Sequence, residues 1–325
     1  MAKPSVYVTR DIGPEALAVL KNHCNVTMWH EPMTPVPRDE IIKNIVGKDA
    51  LLCLLTDNID AEILDIAGPK LKAVATMSVG FDHMDVHEMK TRNIKVGHTP
   101  NVSTDSVAEL TVALLLATNR RLLEASEAAR NGEWTTWSPF WMCGPSLSNS
   151  TVGIAGFGRI GQQVAHRVKA FNLKSLLYHD MFEKKEEAKQ LGAEFVPFEE
   201  LIKRSDFVIA TCLLTPETAK MFNDDVFKKM KKTAVFINTS RGGVVDQDAL
   251  IRALKTKTIW AAGLDVTVPE PLPTDSELFK LKNCVVLPHI ASASIEIRNA
   301  MAMLAVNNIL AALRGEPMPG EVVEY

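Results

Sequence analysis

The stretch VGIAGFGRIG, residues 152–161, decides how the rest of the chain is read. A strand-forming run ending at Ala155 enters Gly156, Gly158 and Gly161, which fit G-x-G-x-x-G. A helix pattern, RIGQQVAHRVKAF, opens inside the motif. The pattern alone says little, because glycine is common; the strand before it and the helix after it give it meaning. Gly156 permits a tight turn, Gly158 lets the backbone approach a pyrophosphate, and Gly161 lets helix and strand pack closely. The helix N-terminus offers unpaired N–H groups and the positive end of its dipole to phosphates.

Downstream, the second strand of this block, KSLLYHD, ends at Asp180, nineteen residues after Gly161. A carboxylate at that spacing accepts hydrogen bonds from a ribose 2′-hydroxyl and repels a 2′-phosphate, so NAD is favoured over NADP. Lys184 and Lys185 follow closely. Turned inward they would meet a phosphate; more often such lysines are the solvated start of a helix. The runs AEFV, DFVIATCLL, TAVFINTS, IWAAGLDV and NCVVLP continue the alternation of strand and helix, the pattern of a doubly wound parallel sheet.

Upstream, the first hundred or so residues alternate in the same way, with SVYVT, NVTMWH, ALLCLLT, LKAVATMSVG and IKVGHTP as strands. After His289 one helix pattern remains, SIEIRNAMAMLAVNNILAALRGE, with no strand of its own. It is expected to return to the first block. The fold expected is therefore α/β: a Rossmann-type cofactor domain over 105–289, a flavodoxin-like substrate domain over 1–104 with 290–325, and a cleft between them. From Thr104 a long helix is expected through TDSVAELTVALLLATNRRLLEASEAARNGEW, capped by Thr104 or Asp105. An arm at about 118–150 follows from it, where Trp134, Trp137 and Trp141 cluster. Exposed aromatics on an arm favour a subunit interface, hence a homodimer, over a local cluster beneath the arm.

Composition narrows the classes. The chain has 325 residues, 46% apolar and 23% charged, with net charge −3. That is a globular protein of two domains, without the basic tract that nucleic acid binding would need. No run is long enough to span a membrane, and the N-terminus lacks the apolar core of a signal peptide. Cys24, Cys53, Cys143, Cys212 and Cys284 form no C-x-x-C pair, so free thiols in a reducing, cytoplasmic compartment are expected and no metal site is.

A nicotinamide site that reduces a 2-oxo acid needs a cation for the carboxylate, an acid for the carbonyl oxygen and a group that tunes the acid. Arg241 directly follows the strand TAVFINTS and offers a planar guanidinium. Asp265 ends a strand and is placed to hold its loop or to contact ligand. Glu270 stands between Pro269 and Pro271, a rigid flank that aims its side chain. His289 follows Pro288 at the end of the last strand. A carboxylate near an imidazole favours its charged form. Alone, each is most often a surface or loop residue; together, at the carboxyl ends of strands of one sheet, they make a constellation.

These motifs carry a resemblance. GFGRIG (156–161), NTSRGGVVD (238–246), GLDVTVPEPLP (263–273) and LPHIAS (287–292) together resemble the D-isomer-specific 2-hydroxyacid dehydrogenase family over essentially the whole chain. LLCLLTDNID, ATMSVGFDH and WTTWSPFWMCG are narrower and point, within the family, to reductases of glyoxylate and hydroxypyruvate. Another member with a bulkier substrate, and a nucleotide-sensing corepressor of similar fold, are the alternatives.

The resemblance implies roles by position. His289 is the proton donor, Glu270 its partner and Arg241 the substrate anchor. Val79 and Gly80 give backbone N–H groups to the substrate carboxylate, Leu55 limits substrate size, Asp265 and Ser292 line the pocket, and Trp137 reaches the active site of a second subunit. The cofactor contacts Gly158, Arg159, Ile160, Met181, Thr239, Asp265 and Ala291. NADP-dependent members carry a small residue and an arginine where this chain has Asp180 and Met181, which again favours NAD. Many relatives have glycine where this chain has Ala291.

Overall fold

The computed structural model describes residues 2–31 and 33–322; the last three residues of the EVVEY tail lie outside them. Among the described residues there are twelve strands: β1 (Ser5–Val8), β2 (Asn25–Met28), β3 (Ala50–Cys53), β4 (Ala73–Thr76), β5 (Lys95–Gly97), β6 (Thr151–Ala155), β7 (Ser175–His179), β8 (Ala193–Phe195), β9 (Phe207–Ala210), β10 (Val235–Asn238), β11 (Ala261–Leu264) and β12 (Cys284–Val286). The chain divides into two compact units, Met1–Ser103 with Ala293–Tyr325, and Thr104–Ser292. The expected boundaries shift by one residue at the first crossing and three at the second, so Ile290 to Ser292 stay with His289.

The contiguous unit carries a seven-stranded parallel sheet in the order β12-β11-β10-β9-β6-β7-β8. Strand order reverses between β6 and β9, the switch point at whose carboxyl edge open α/β sheets bind ligands. Period-2 alternation sorts the side chains cleanly. Phe207 and Ile209 join one core with Val152, Ile154, Val235 and Ile237; Val208 and Ala210 join the other with Ala155, Phe236, Ala262 and Leu264. Both faces are buried, which is why these strands read as unbroken apolar runs.

The other unit holds a five-stranded parallel sheet, β2-β1-β3-β4-β5. Its second core takes Val6, Val8, Leu52 and Ala75 together with Ala302, Ala305, Val306 and Ile309 of the terminal helix Ile295–Leu313. That helix closes one face of a sheet made by the first hundred residues.

The long helix expected from Thr104 is two helices, Thr104–Asn119 and Leu122–Arg130. The break falls at Arg121, which has φ 53°. Gly144 presses on the end of the first helix so closely that a Cβ there would lie 1.7 Å from the Asn119 carbonyl oxygen. Arg121 instead pairs with Glu124 at 2.8 Å and starts a new helix. The short helix Glu277–Lys280 has no counterpart in the expected pattern.

Candidate active site

The glycine turn separates into two roles. A Cβ on Gly156 would lie 2.5 Å from the Cys212 backbone nitrogen, and one on Gly161 would lie 2.2 Å from the Gly156 carbonyl oxygen. Gly156 also has φ 95°. Both are required by the fold. A Cβ on Gly158 would meet nothing within 4 Å, so packing within the protein does not require glycine there. Its missing side chain leaves open space at the start of the helix Arg159–Val168. That is the cradle a pyrophosphate needs, so the residues present fit a dinucleotide.

Asp180 directly follows β7. Its carboxylate accepts from Phe157 N in the glycine turn and from its neighbour Met181 N, both at 2.7 Å. Each oxygen retains acceptor capacity for a ribose hydroxyl. Met181 is exposed beside it. Lys185 pairs with Glu183 and begins the helix Lys185–Leu191. Thr239 is buried after β10, with its hydroxyl 2.7 Å from that of Thr111.

Arg241, Glu270 and His289 lie beyond the carboxyl ends of β10, β11 and β12. Asn238, fully buried, shapes the first of these loops: its Oδ1 accepts from Ser240 N and Oγ, and its Nδ2 donates to the Arg241 carbonyl. In the sequence Asn238 is signalled only by an Asn followed by Thr-Ser at a strand end. Gly242 lets this loop touch the next one, since a Cβ there would lie 2.2 Å from the Thr267 carbonyl oxygen. The Arg241 guanidinium donates to the Ser240 carbonyl at 3.0 Å.

Glu270 is bound at both oxygens. Oε1 accepts from Thr267 N at 2.9 Å, and Oε2 accepts from His289 Nδ1 at 2.7 Å. Burial pushes the Glu270 carboxyl up, but the hydrogen bond and charge of His289, the Thr267 N–H and the Arg241 charge together outweigh it and hold the group below the usual glutamate range. The peptide bonds before Pro269 and Pro271 are both cis. His289 Nε2 has no hydrogen-bond partner among the described residues, and the ring is partly exposed.

Asp265, 1% exposed, holds the segment that carries the imidazole. Its carboxylate accepts from Ile290 N and Ala291 N, each at 2.8 Å, and its carbonyl accepts from His289 N at 2.9 Å. Burial pushes the Asp265 carboxyl up against the pull of those two N–H groups. His289 itself has φ 56°, a left-handed conformation uncommon outside glycine, which this grip maintains. Ser106 Oγ donates to the Ala291 carbonyl at 2.9 Å, and Ser292 is half-buried next to it.

Val79, Gly80 and Leu55 belong to the other unit. Val79 and Gly80 follow β4. Leu55, half-buried, sits in a turn closed by Asp57 N donating to the Leu54 carbonyl. The buried Asp57 carboxylate reinforces that turn by accepting from Leu54 N at 2.8 Å. Trp137 stands in the arm, 79% exposed, between Trp134 and the still more exposed Phe140.

A glycine turn at a switch point, with an acid at the second strand end and a histidine–carboxylate pair beyond the same sheet, defines a class. The chain belongs to the D-isomer specific 2-hydroxyacid dehydrogenase family: the family's NAD binding domain matches residues 112–291, more than half of the chain. It is an NAD(P)-dependent 2-hydroxyacid dehydrogenase. Among its relatives is the glyoxylate reductase/hydroxypyruvate reductase of Homo sapiens, 53% identical over 98% of this chain and 97% of that one. The glyoxylate reductase of Thermofilum pendens is 47% identical over 99% and 95%. A solved NADPH-dependent glyoxylate/hydroxypyruvate reductase from Sinorhizobium meliloti, in complex with NADP and malonate, superimposes with TM-score 0.86 at 33% identity, covering 99% of this chain and 97% of that one.

Proposed function

We propose that this protein reduces glyoxylate to glycolate and hydroxypyruvate to D-glycerate. The observation that carries the reading is the Glu270–His289 pair, with Nδ1 bound and Nε2 free. A proton on Nε2 passes to the substrate's carbonyl oxygen. Glu270 holds the ring and stabilises its charged form. Arg241 binds the carboxylate and carbonyl of the 2-oxo acid. Val79 and Gly80 offer backbone N–H groups to the carboxylate, Leu55 limits substrate size, and Ser292 lines the pocket. When bound, the reduced nicotinamide supplies the hydride to the carbonyl carbon. Gly158, Arg159 and Ile160 hold the pyrophosphate in the turn that Gly156 and Gly161 shape; Thr239, Asp265 and Ala291 position the nicotinamide end. Asp180 and Met181 hold the adenosine ribose, and the Asp180 charge favours NADH.

Two further assignments belong to the same reading. The chain forms a homodimer through its arm, with Trp137 reaching the active site of a second copy. The exposure of Trp134, Trp137 and Phe140 supports this. The compartment is cytoplasmic; five free cysteines support a reducing environment, and among the described residues no helix is long and apolar enough to cross a membrane.

Steady-state oxidation of NADH and NADPH by purified protein, with glyoxylate and hydroxypyruvate, tests the activity. Turnover of both acids is expected, and inactivity with both coenzymes refutes it.

A further inference from the structure

The loop after β4 is anchored by its carbonyls. Thr99 N donates to the Ser78 carbonyl at 2.8 Å. His98 Nδ1 lies 2.8 Å from the Val79 carbonyl oxygen; a carbonyl only accepts, so Nδ1 carries the proton. Ser78 Oγ donates to the Gly80 carbonyl at 2.6 Å. These peptides are trans, and in a trans peptide the N–H points opposite to the C=O. Fixing the Ser78 carbonyl therefore directs Val79 N–H away from Thr99. Fixing the Val79 carbonyl directs Gly80 N–H away from His98. Neither Val79 N–H nor Gly80 N–H has a partner among the described residues.

His98 is itself held from behind. Its N–H donates to the Gly320 carbonyl and its carbonyl accepts from Asn308 Nδ2, each at 2.8 Å. Asn308 is fully buried in the terminal helix, and its Oδ1 accepts from Gly320 N. The strand meets the helix closely here, since a Cβ on Gly97 would lie 2.8 Å from Asn308 Cβ. The Phe81 ring packs edge-on against the imidazole, with centroids 5.4 Å apart.

We infer that His98 is a positioning residue for substrate binding: its Nδ1–H locks the Val79–Gly80 peptide so that Gly80 N–H is presented to the carboxylate of the 2-oxo acid. This rests on the proposed role of Val79 and Gly80. Without the lock the peptide rotates among orientations, only some of which present the donor, and affinity falls by that fraction. The effect is on carboxylate binding, because the His98 imidazole bonds to the peptide whose N–H faces the carboxylate.

Two variants test it. His98→Leu removes the donor, and His98→Asn keeps an amide N–H near the place of Nδ1. Hydroxypyruvate KM and kcat are measured, with NADH affinity by fluorescence. Binding of oxamate to the NADH-loaded protein is measured by calorimetry. His98→Leu is expected to raise the KM and the oxamate Kd about three- to tenfold, the worth of one hydrogen bond. Its kcat and NADH affinity stay within about twofold of wild type, and His98→Asn recovers most of the loss. Unchanged oxamate binding in His98→Leu, equal impairment of both variants, or an NADH affinity that falls in step with the KM would each overturn the inference. The calorimetry needs no turnover, so absence of 2-oxo acid reduction would overturn the proposed activity separately.

Discussion

His289 Nδ1 and Glu270 Oε2 meet at 2.7 Å across nineteen residues of sequence. The same carboxylate is fixed at its other oxygen by Thr267 N, so the ring and its partner are oriented by the backbone of a single loop. Nδ1 is thereby committed, and whatever proton the imidazole gives must leave from Nε2.

Glu270→Gln tests that arrangement. It removes the charge that favours imidazolium, and kcat with hydroxypyruvate is expected to fall about a hundredfold. Stability should respond to pH with a definite sign. Glu270 is held below its ordinary value of 4.5, so its contribution is fully present above that pH and is lost as pH falls through the lower, folded value. Urea midpoints of wild type and Glu270→Gln should differ at pH 7 and converge in acid. A gap that widens in acid would contradict the sign.

The three glycines of the turn should separate in a stability assay. Gly158→Ala places its Cβ in open space and should leave the melting midpoint within about 2 °C of wild type. It should weaken NADH at least about tenfold by filling the phosphate cradle. Gly156→Ala should cost about 2 kcal/mol or more, because its Cβ strikes the Cys212 backbone at φ 95°. Equal melting midpoints for the two variants would refute the division of roles.

Wild type should prefer NADH, and Asp180→Ser should move the coenzyme ratio at least about tenfold toward NADPH by removing the charge that opposes a 2′-phosphate. Affinity for NADH should drop as well, since Phe157 N in the glycine turn loses its acceptor. A wild-type preference for NADPH would end the argument from Asp180.

The arm is open to a hydrodynamic test. Wild type should sediment as a dimer at micromolar concentration, and Phe140→Asp combined with Trp137→Ala should shift it toward monomer, because both side chains are exposed on the isolated chain. A monomeric wild type would remove the second subunit from the site.

Much of the fold was legible because parallel strands buried on both faces need little but apolar residues. FVIA of β9 and VFIN of β10 are buried at every position. The glycine turn was legible because its constraints are local. The break at Arg121 was not; it coincides with Gly144 packing on the Asn119 carbonyl, a contact between residues far apart in sequence. For the site, residue types and strand ends were readable at Arg241, Glu270 and His289, but no spacing tells which groups touch. The hold of Asp265 on Ile290 and Ala291, Asn238 beneath the Arg241 loop, and His98 behind Val79 are all hydrogen bonds to backbone from residues brought close by folding. Their side chains resemble ordinary polar residues in the sequence.

The terminal helix has a consequence for how the molecule is made. Thr104–Ser292 is one continuous stretch and has its whole sheet once Ser292 has been synthesised. The unit begun by the first strand does not: its core waits for Ala302, Ala305 and Ile309, and His98 waits for Asn308 and Gly320. Domains fold as units while the chain emerges. Here the unit that opens the sequence is completed only after the one that follows it, because its core takes in the helix Ile295–Leu313 from beyond Ser292.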